Sequence, residues 1–478
     1  MNQLRPLYKI PRRYRLVFYY FACLVLGIIS GLGQLGTLPL VILTVLAGIV
    51  VLLPDTLGLC SSYMTIRGKL EQSCLLCRLA LELEPGNHLA MLNLGYANFR
   101  AGRFSEAKQC FDKCIEQKPR QPLSYINRSA SHIRLCDYEA AEADASKAMA
   151  LNKRDVRGNI NRIVSLMGRC RHLEALEELD KISGSVLYKD FVTYNKLVCR
   201  LLLSHMPQAE LDWQRAGCKH KVLSRAGEAW LAWEKEEFDR VLELTASVRD
   251  DSLDAEIFLF LRSIAYSAMG ELDLAYAIAM QMIDAKPQAT TGLEALLVAF
   301  TRANLEDQAT LIARRLEEKN PHHFDVNIAR ATLALRRGDL PTAKSEITAT
   351  LEKCPTNSTA RALSSIILTR TGEDTLSMAQ KNAAENPHKA LSWLALGEAQ
   401  LAAGKPEALS NFKKAAQMNR YSPMLLDHLA GAYRALGHED EAKQAEIKAA
   451  ELQKQFTSAI ERAMRDQPLY LLEDFLGE

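Results

Sequence analysis

Catalytic signatures are what this 478-residue chain most plainly lacks. It has no nucleophile elbow, no phosphate-binding P-loop, no H-E-x-x-H and no paired metal-ligand spacing, so nothing in it asks for nucleophilic, phosphoryl-transfer or metal-assisted chemistry. A disulfide framework is also missing, because the eleven cysteines are odd in number and scattered. That pattern suits a reducing compartment rather than an exported scaffold. Net charge is nearly absent at +2. Arg5, Lys9, Arg12, Arg13 and Arg15 precede any acidic residue, which leaves the rest of the chain net acidic and excludes a nucleic-acid surface.

Charge is wholly missing from Leu16 to Pro54. One helix of that length would be about 58 Å long at about 1.5 Å per residue, nearly twice a hydrocarbon core of roughly 30 Å. The run therefore folds in half. Two spans, Leu16 to Leu32 and Thr37 to Leu53, are expected to meet at a turn where three glycines, Gln34 and Pro39 interrupt the helix. The spans are short, so a hairpin dipping into one leaflet is the alternative. Gly31, Gly33 and Gly36 also match G-x-G-x-x-G spacing, with Asp55 placed where a dinucleotide site holds a ribose. A helical array begins directly afterwards and leaves no room for the remaining strands of such a domain, so the glycines are read as the turn. A cleaved signal peptide over residues 1–30 is disfavoured, because a second apolar run follows and no A-x-A site is present. The basic N-terminus and the aromatics Phe18, Tyr19, Tyr20 and Phe21 predict a two-span membrane protein, N-in and C-in. A bacterial inner membrane is the expected location, with the bulk of the chain cytoplasmic.

Self-similarity dominates the rest. In "HLAMLNLGYANFRAGRFSEAKQCFDKCIEQKP", His88 to Pro119, two amphipathic helices break at Gly102, and Leu94, Gly95, Phe104, Ala107, Phe111 and Pro119 recur in kind further along. Pro85 and Pro119 are 34 residues apart, as are Pro287 and Pro321, and Pro321 and Pro355. Tyr266, Gly270, Ala275 and Pro287 mark another unit; so do Trp393, Gly397, Gly404, Ala408 and Phe412. This pattern resembles the tetratricopeptide repeat (TPR) family over about Pro54 to Leu452. The resemblance implies an all-α fold, a superhelix of stacked helical hairpins (an α-solenoid), here preceded by two transmembrane helices. The expected organisation is a basic N-terminus over 1–15, the hairpin over 16–53, and a first sub-array over 54–182. Degenerate repeats and a hinge at "ISGSVLYKD" cover 183–255, a second sub-array 256–455, and a capping helix with an acidic-apolar tail 456–478.

Asn93, Asn127 and Asn161 repeat at 34 residues on the first helix of three successive units, and Arg100 and Arg134 follow seven residues after the first two. Residues so spaced share a helix face. The resemblance implies that this face lines a concave groove. There Asn93, Tyr96, Arg100, Asn127, Arg134 and Asn161 are candidates to hold an extended peptide, with satisfaction of neighbouring helix ends as the structural alternative. The lysine-rich carboxylate clamp of some family members is not matched, since Leu92 and Ile126 stand where its lysines would. Later units carry Leu261, Ala295, Ala329 and Leu363 at the asparagine place, which confines any such groove to the first units. Cys74, Cys77, Cys110 and Cys114 fall on successive helices and are read as small buried residues ahead of metal ligands. No catalytic residue, cofactor or metal is assigned.

The function read from these features is a non-enzymatic scaffold or adaptor. It is anchored in the membrane, touches lipid through residues 16–53 and recruits partner proteins at the cytoplasmic face. The alternative is an accessory subunit of an envelope transport, secretion or polymer-synthesis complex, whose hairpin contacts an integral membrane partner.

Overall fold

A computed structural model describes residues 37–169, 171–184, 186–203, 205–246, 255–285, 289–319 and 324–467. Among these residues there are 24 α-helices, one 3-10 turn and no strand. The chain divides into two compact units, Met1–Ser165 and Leu166–Glu478.

In unit 1 the helices pair as hairpins. They are α1 (Thr37–Ile66) with α2 (Leu70–Leu83), α3 (His88–Arg100) with α4 (Phe104–Gln117), and α5 (Pro122–Arg134) with α6 (Tyr138–Leu151). The next helix, α7 (Val156–Gly168), crosses the boundary between the units. Each boundary has a local cause. The Asn87 side chain accepts the Ala90 N–H at 2.9 Å and starts α3, Asp137 does the same for α6, and Pro122 sits in the first turn of α5. Gly102 ends the α3 segment with φ +79°, a conformation that glycine adopts without strain, and turns the chain into α4.

The seam of a hairpin shows why its small and large residues recur. Phe111 is fully buried, and a Cβ placed on Gly95 would lie 2.6 Å from its ring. The glycine lets the two helices close on the aromatic.

Unit 2 repeats the construction through α8 (His172–Ile182), a 3-10 turn at Val186–Tyr188, α9 (Lys189–Leu202), α10 (Met206–Ala216), α11 (Lys221–Glu234) and α12 (Phe238–Ala246). There follow α13 (Ala255–Met269), α14 (Leu272–Ala285), α15 (Thr291–Ala303), α16 (Glu306–Lys319), α17 (Phe324–Arg337) and α18 (Leu340–Lys353). The array ends with α19 (Ser358–Arg370), α20 (Leu376–Glu385), α21 (Ala390–Ala402), α22 (Ala408–Met418), α23 (Pro423–Ala435) and α24 (Glu439–Asp466). The final helix has 28 residues, twice a repeat helix. Its first half completes a hairpin with α23, and its second half reaches back to α14 and α15. There Gln453 Nε2 and Thr457 Oγ1 donate to the Ala303 carbonyl at 2.7 and 3.1 Å, and the Tyr276 hydroxyl donates to the Gln467 carbonyl at 2.7 Å. Residues 468–478, the expected tail, lie outside the described residues.

The expected membrane placement is corrected. Among the described residues no helix is long and apolar enough to cross a membrane. The expected second span, Thr37 to Leu53, does not end at Leu53. Its helix runs on through Pro54 and Asp55 to Ile66. Its second half is packed as a repeat helix, with Ser61 and Thr65 buried and Ser73 of α2 bonded to the Ser61 carbonyl at 2.8 Å and to the Thr65 hydroxyl at 2.7 Å. The apolar stretch is thus the leading end of a repeat helix, and the two-span, N-in/C-in assignment to a bacterial inner membrane is withdrawn. The expected first span, Leu16 to Leu32, lies outside the described residues, as does most of the 16–53 segment assigned to lipid contact.

Candidate functional site

In unit 1 the first helices of successive hairpins, α1, α3, α5 and α7, lie side by side and carry the asparagine row. Two of its amides are already engaged. Asn93 Nδ2 donates to the Gly58 carbonyl and to Ser62 Oγ, both at 2.8 Å, and Asn161 Nδ2 donates to the Ile126 carbonyl at 2.8 Å. Each bond reaches the first helix of the preceding hairpin, so these two asparagines tie neighbouring repeats together. Asn127 is half-buried, and among the described residues no hydrogen bond engages its amide. Tyr96 is 41% exposed and Arg100 is exposed. Arg134 lies over the Phe104 ring, 5.2 Å from its centroid, a cation–π contact that leaves the hydrogen-bonding edge of the guanidinium available.

Behind this face the polar groups serve packing. Arg128 is held as a fork, with Nε and Nη2 each 2.7 Å from Asp144 and Nη1 2.7 Å from Asp112; these bonds push its pKa above the ordinary arginine value. The four cysteines occupy core positions: Cys77 and Cys114 are fully buried, and Cys74 and Cys110 nearly so. Burial pushes the Cys77 thiol up to about 11 and that of Cys114 up to about 12, which keeps both protonated at neutral pH. Among the described residues no group of three or more His, Cys, Asp or Glu side chains is placed to hold a metal ion.

Unit 2 holds a feature that reading the asparagine place alone misses. Arg302, Arg336 and Arg370 stand seven residues after Ala295, Ala329 and Leu363, and so continue the arginine register of Arg100 and Arg134. The signal was the same 34-residue interval. A cation in the last turn of a helix is favoured by the helix dipole. Arg336 Nη1 donates to the Thr301 carbonyl at 3.0 Å, and Arg370 pairs with Glu398 at 3.2 Å. Arg302 and Arg336 both line a cleft of about 420 Å³ whose walls are mostly the first helices α9 to α23. Burial lowers the pKa of both guanidinium groups, that of Arg302 to about 10.

The tetratricopeptide-repeat family model matches residues 89–121, which is the α3–α4 hairpin. Protein unc-45 homolog B of Xenopus tropicalis is 33% identical over 99 residues, 20% of this chain and 9% of that protein. RNA polymerase II-associated protein 3 of Homo sapiens is 31% identical over 108 residues, 22% of this chain and 16% of that protein. The chain therefore spans less than a fifth of the length of the curated relatives it matches. Among solved structures, the APC/C hetero-tetramer Cut9–Hcn1 aligns over 89% of this chain and 86% of that chain, at 14% identity and a TM-score of 0.42. The α3–α4 hairpin is thus similar to a tetratricopeptide repeat, and the described residues build an all-helical array of hairpins like it.

Proposed function

We propose that this chain is a non-catalytic TPR scaffold, and that the first-helix face of unit 1 holds an extended segment of a partner protein. The observation that carries the reading is the uneven use of the asparagine row. Asn93 and Asn161 are spent on neighbouring helices, while the Asn127 amide, exposed Tyr96 and Arg100, and the edge of Arg134 are left to face a ligand. One side-chain amide can donate to a peptide carbonyl and accept from a peptide N–H, which recognises backbone without regard to sequence. Preference then comes from the two arginines and from Tyr96, which suit segments mixing acidic and apolar side chains.

The test is fluorescence anisotropy of the full chain with labelled twelve-residue peptides that alternate acidic and apolar residues. Peptides of the same composition with lysine in place of the acids serve as controls. Arg100→Glu combined with Arg134→Glu is expected to weaken capture of the acidic peptides at least tenfold. Equal binding of both peptide classes, or binding indifferent to the two substitutions, sinks the reading.

A further inference from the structure

The cleft of unit 2 is bounded by its own chain. Lys389 Nζ, just ahead of α21, pairs with Glu234 of α11 at 2.7 Å, and the Ala390 N–H donates to Glu236 Oε2 at 3.2 Å. These contacts join segments about 150 residues apart and close one side of the cavity. Gln453 and Thr457 of α24 cover the end of α15 next to Arg302. Its volume of about 420 Å³ is the size of a small-molecule site. Trp230, Phe260, Leu297 and Met424 supply much of its apolar wall.

One feature inside it breaks a local rule. Arg302 is withdrawn from bulk solvent, yet keeps part of its surface accessible because it lines the cleft. Among the described residues no carboxylate lies within ion-pair distance of its guanidinium and no acceptor takes its hydrogen bonds. Five N–H donors directed at nothing are costly in a desolvated place. Glu236, whose charge it does feel, is spent on the Ala390 N–H, and burial raises the pKa of that carboxyl. The cleft lining carries Glu234, Glu236, Glu294 and Asp325 against Lys389, Arg302 and Arg336, so it is the unpaired Arg302 guanidinium, not net charge, that an anion meets there.

We propose that the unit 2 cleft binds a small amphiphile, one anionic group on an apolar body, with its carboxylate or phosphate taken by the Arg302 guanidinium. A fork of N–H donors matches either oxyanion in two parallel bonds, while the tryptophan and phenylalanine walls cover the apolar part. The inference is independent of the peptide reading of unit 1.

Isothermal titration calorimetry of the full chain with decanoate, decyl phosphate and decan-1-ol tests it. One equivalent of at least one anion is expected to bind at least tenfold tighter than the alcohol, and the tighter of the two anions identifies the headgroup. Arg302→Gln should remove that advantage at least tenfold and leave decanol binding unchanged. Its ligand-free melting temperature should equal or exceed that of the parent, because an uncompensated buried charge is gone. Leu297→Trp, which fills the cavity, should abolish binding of all three probes. Saturable binding by none of the probes, alcohol and anion binding equally, or unchanged anion affinity in Arg302→Gln each overturn the proposal. So does a fall in melting temperature of more than a few degrees in Arg302→Gln, which would make the guanidinium a structural support.

Discussion

Replacing the three asparagines of unit 1 one at a time by alanine separates the members of the row that hold the fold from the member left to a ligand. Asn93 donates two hydrogen bonds of 2.8 Å, Asn161 donates one, and the Asn127 amide donates none among the described residues. A hydrogen bond contributes about 1 kcal/mol net, and alanine gains roughly 0.6 kcal/mol over asparagine in helix propensity. Asn93→Ala should therefore destabilise unit 1 by about 1.4 kcal/mol and Asn161→Ala by about 0.4 kcal/mol, whereas Asn127→Ala should stabilise it by about 0.6 kcal/mol. The spread of about 2 kcal/mol corresponds to a difference of roughly 4 to 8 °C for a unit of this size.

The chain supplies reporters that keep the units apart. All four tryptophans, Trp213, Trp230, Trp233 and Trp393, lie in unit 2, so their fluorescence is silent on unit 1. Buried Cys74, Cys77, Cys110 and Cys114 report unit 1 alone. Pulse labelling of these thiols on a urea gradient, read by mass spectrometry, should shift its midpoint down for Asn93→Ala and slightly up for Asn127→Ala, with tryptophan fluorescence unchanged. In the peptide assay the order reverses, and Asn127→Ala is the variant that weakens binding. If Asn127→Ala destabilises as much as Asn93→Ala, or if Asn93→Ala leaves the midpoint where it was, the division of the row is wrong.

Three further outcomes follow from the packing. A Cβ on Gly227 would lie 2.4 Å from the Trp213 ring, but one on Gly397 only 3.0 Å from Phe412; overpacking at about 1–3 kcal/mol against a helix-propensity gain of about 1 kcal/mol makes Gly227→Ala destabilising and Gly397→Ala neutral or better, with tryptophan fluorescence in urea as the readout. Phe456 is buried against Gly270, so Phe456→Ala should cost unit 2 roughly 3–5 kcal/mol, and a loss below about 1 kcal/mol would mean that α24 does not brace the array. Burial alone would raise the pKa of Glu398, but the hydrogen bond and charge of His428, with Arg370, outweigh it and hold it below the ordinary value. A lowered carboxyl pKa gives stability that is present above the unfolded value and lost as pH falls through the folded one. The stability gap between the parent and Glu398→Gln should therefore be full at pH 7 and close on acidification below about pH 4, which urea midpoints at several pH values check.

The hairpins were legible because each must solve the same contact within one period. Gly95 and Phe111 need each other at fixed spacing, and Asn87, Asp137, Asp339 and Asn357 mark helix starts in local code. The apolar stretch up to Pro54 was misjudged for a physical reason: proline usually ends a helix, yet α1 continues through Pro54 because its far half is held by α2 and α3. The eroded signature after Tyr188 also has a cause. In α10 and α11 the aromatic is Trp213 and the small residue Gly227, so the pairing persists with other residues on other helices.

The arginine register divides place from role. Arg100, Arg134, Arg302, Arg336 and Arg370 occupy one place in the period, and the period was readable. Their roles differ with what each unit's packing brings near. Arg134 meets an aromatic ring, Arg336 the carbonyl of Thr301 in the preceding first helix, and Arg370 the carboxylate of Glu398. Among the described residues Arg302 makes no such bond to the carbonyl one repeat earlier, that of Ser267, although this carbonyl carries only the turn bond that the Thr301 carbonyl also carries, from Gly270 N–H and Asn304 N–H respectively, each at 3.3 Å. Beside it the Ala303 carbonyl is occupied by Gln453 and Thr457. The helix that braces the array uses the acceptor next to Arg302 at the end of α15, and the Arg302 guanidinium lines the cleft. Contacts across about 150 residues are set by the winding of the whole unit rather than by any one repeat. A periodic sequence can therefore announce a row of arginines without announcing which of them lacks a partner.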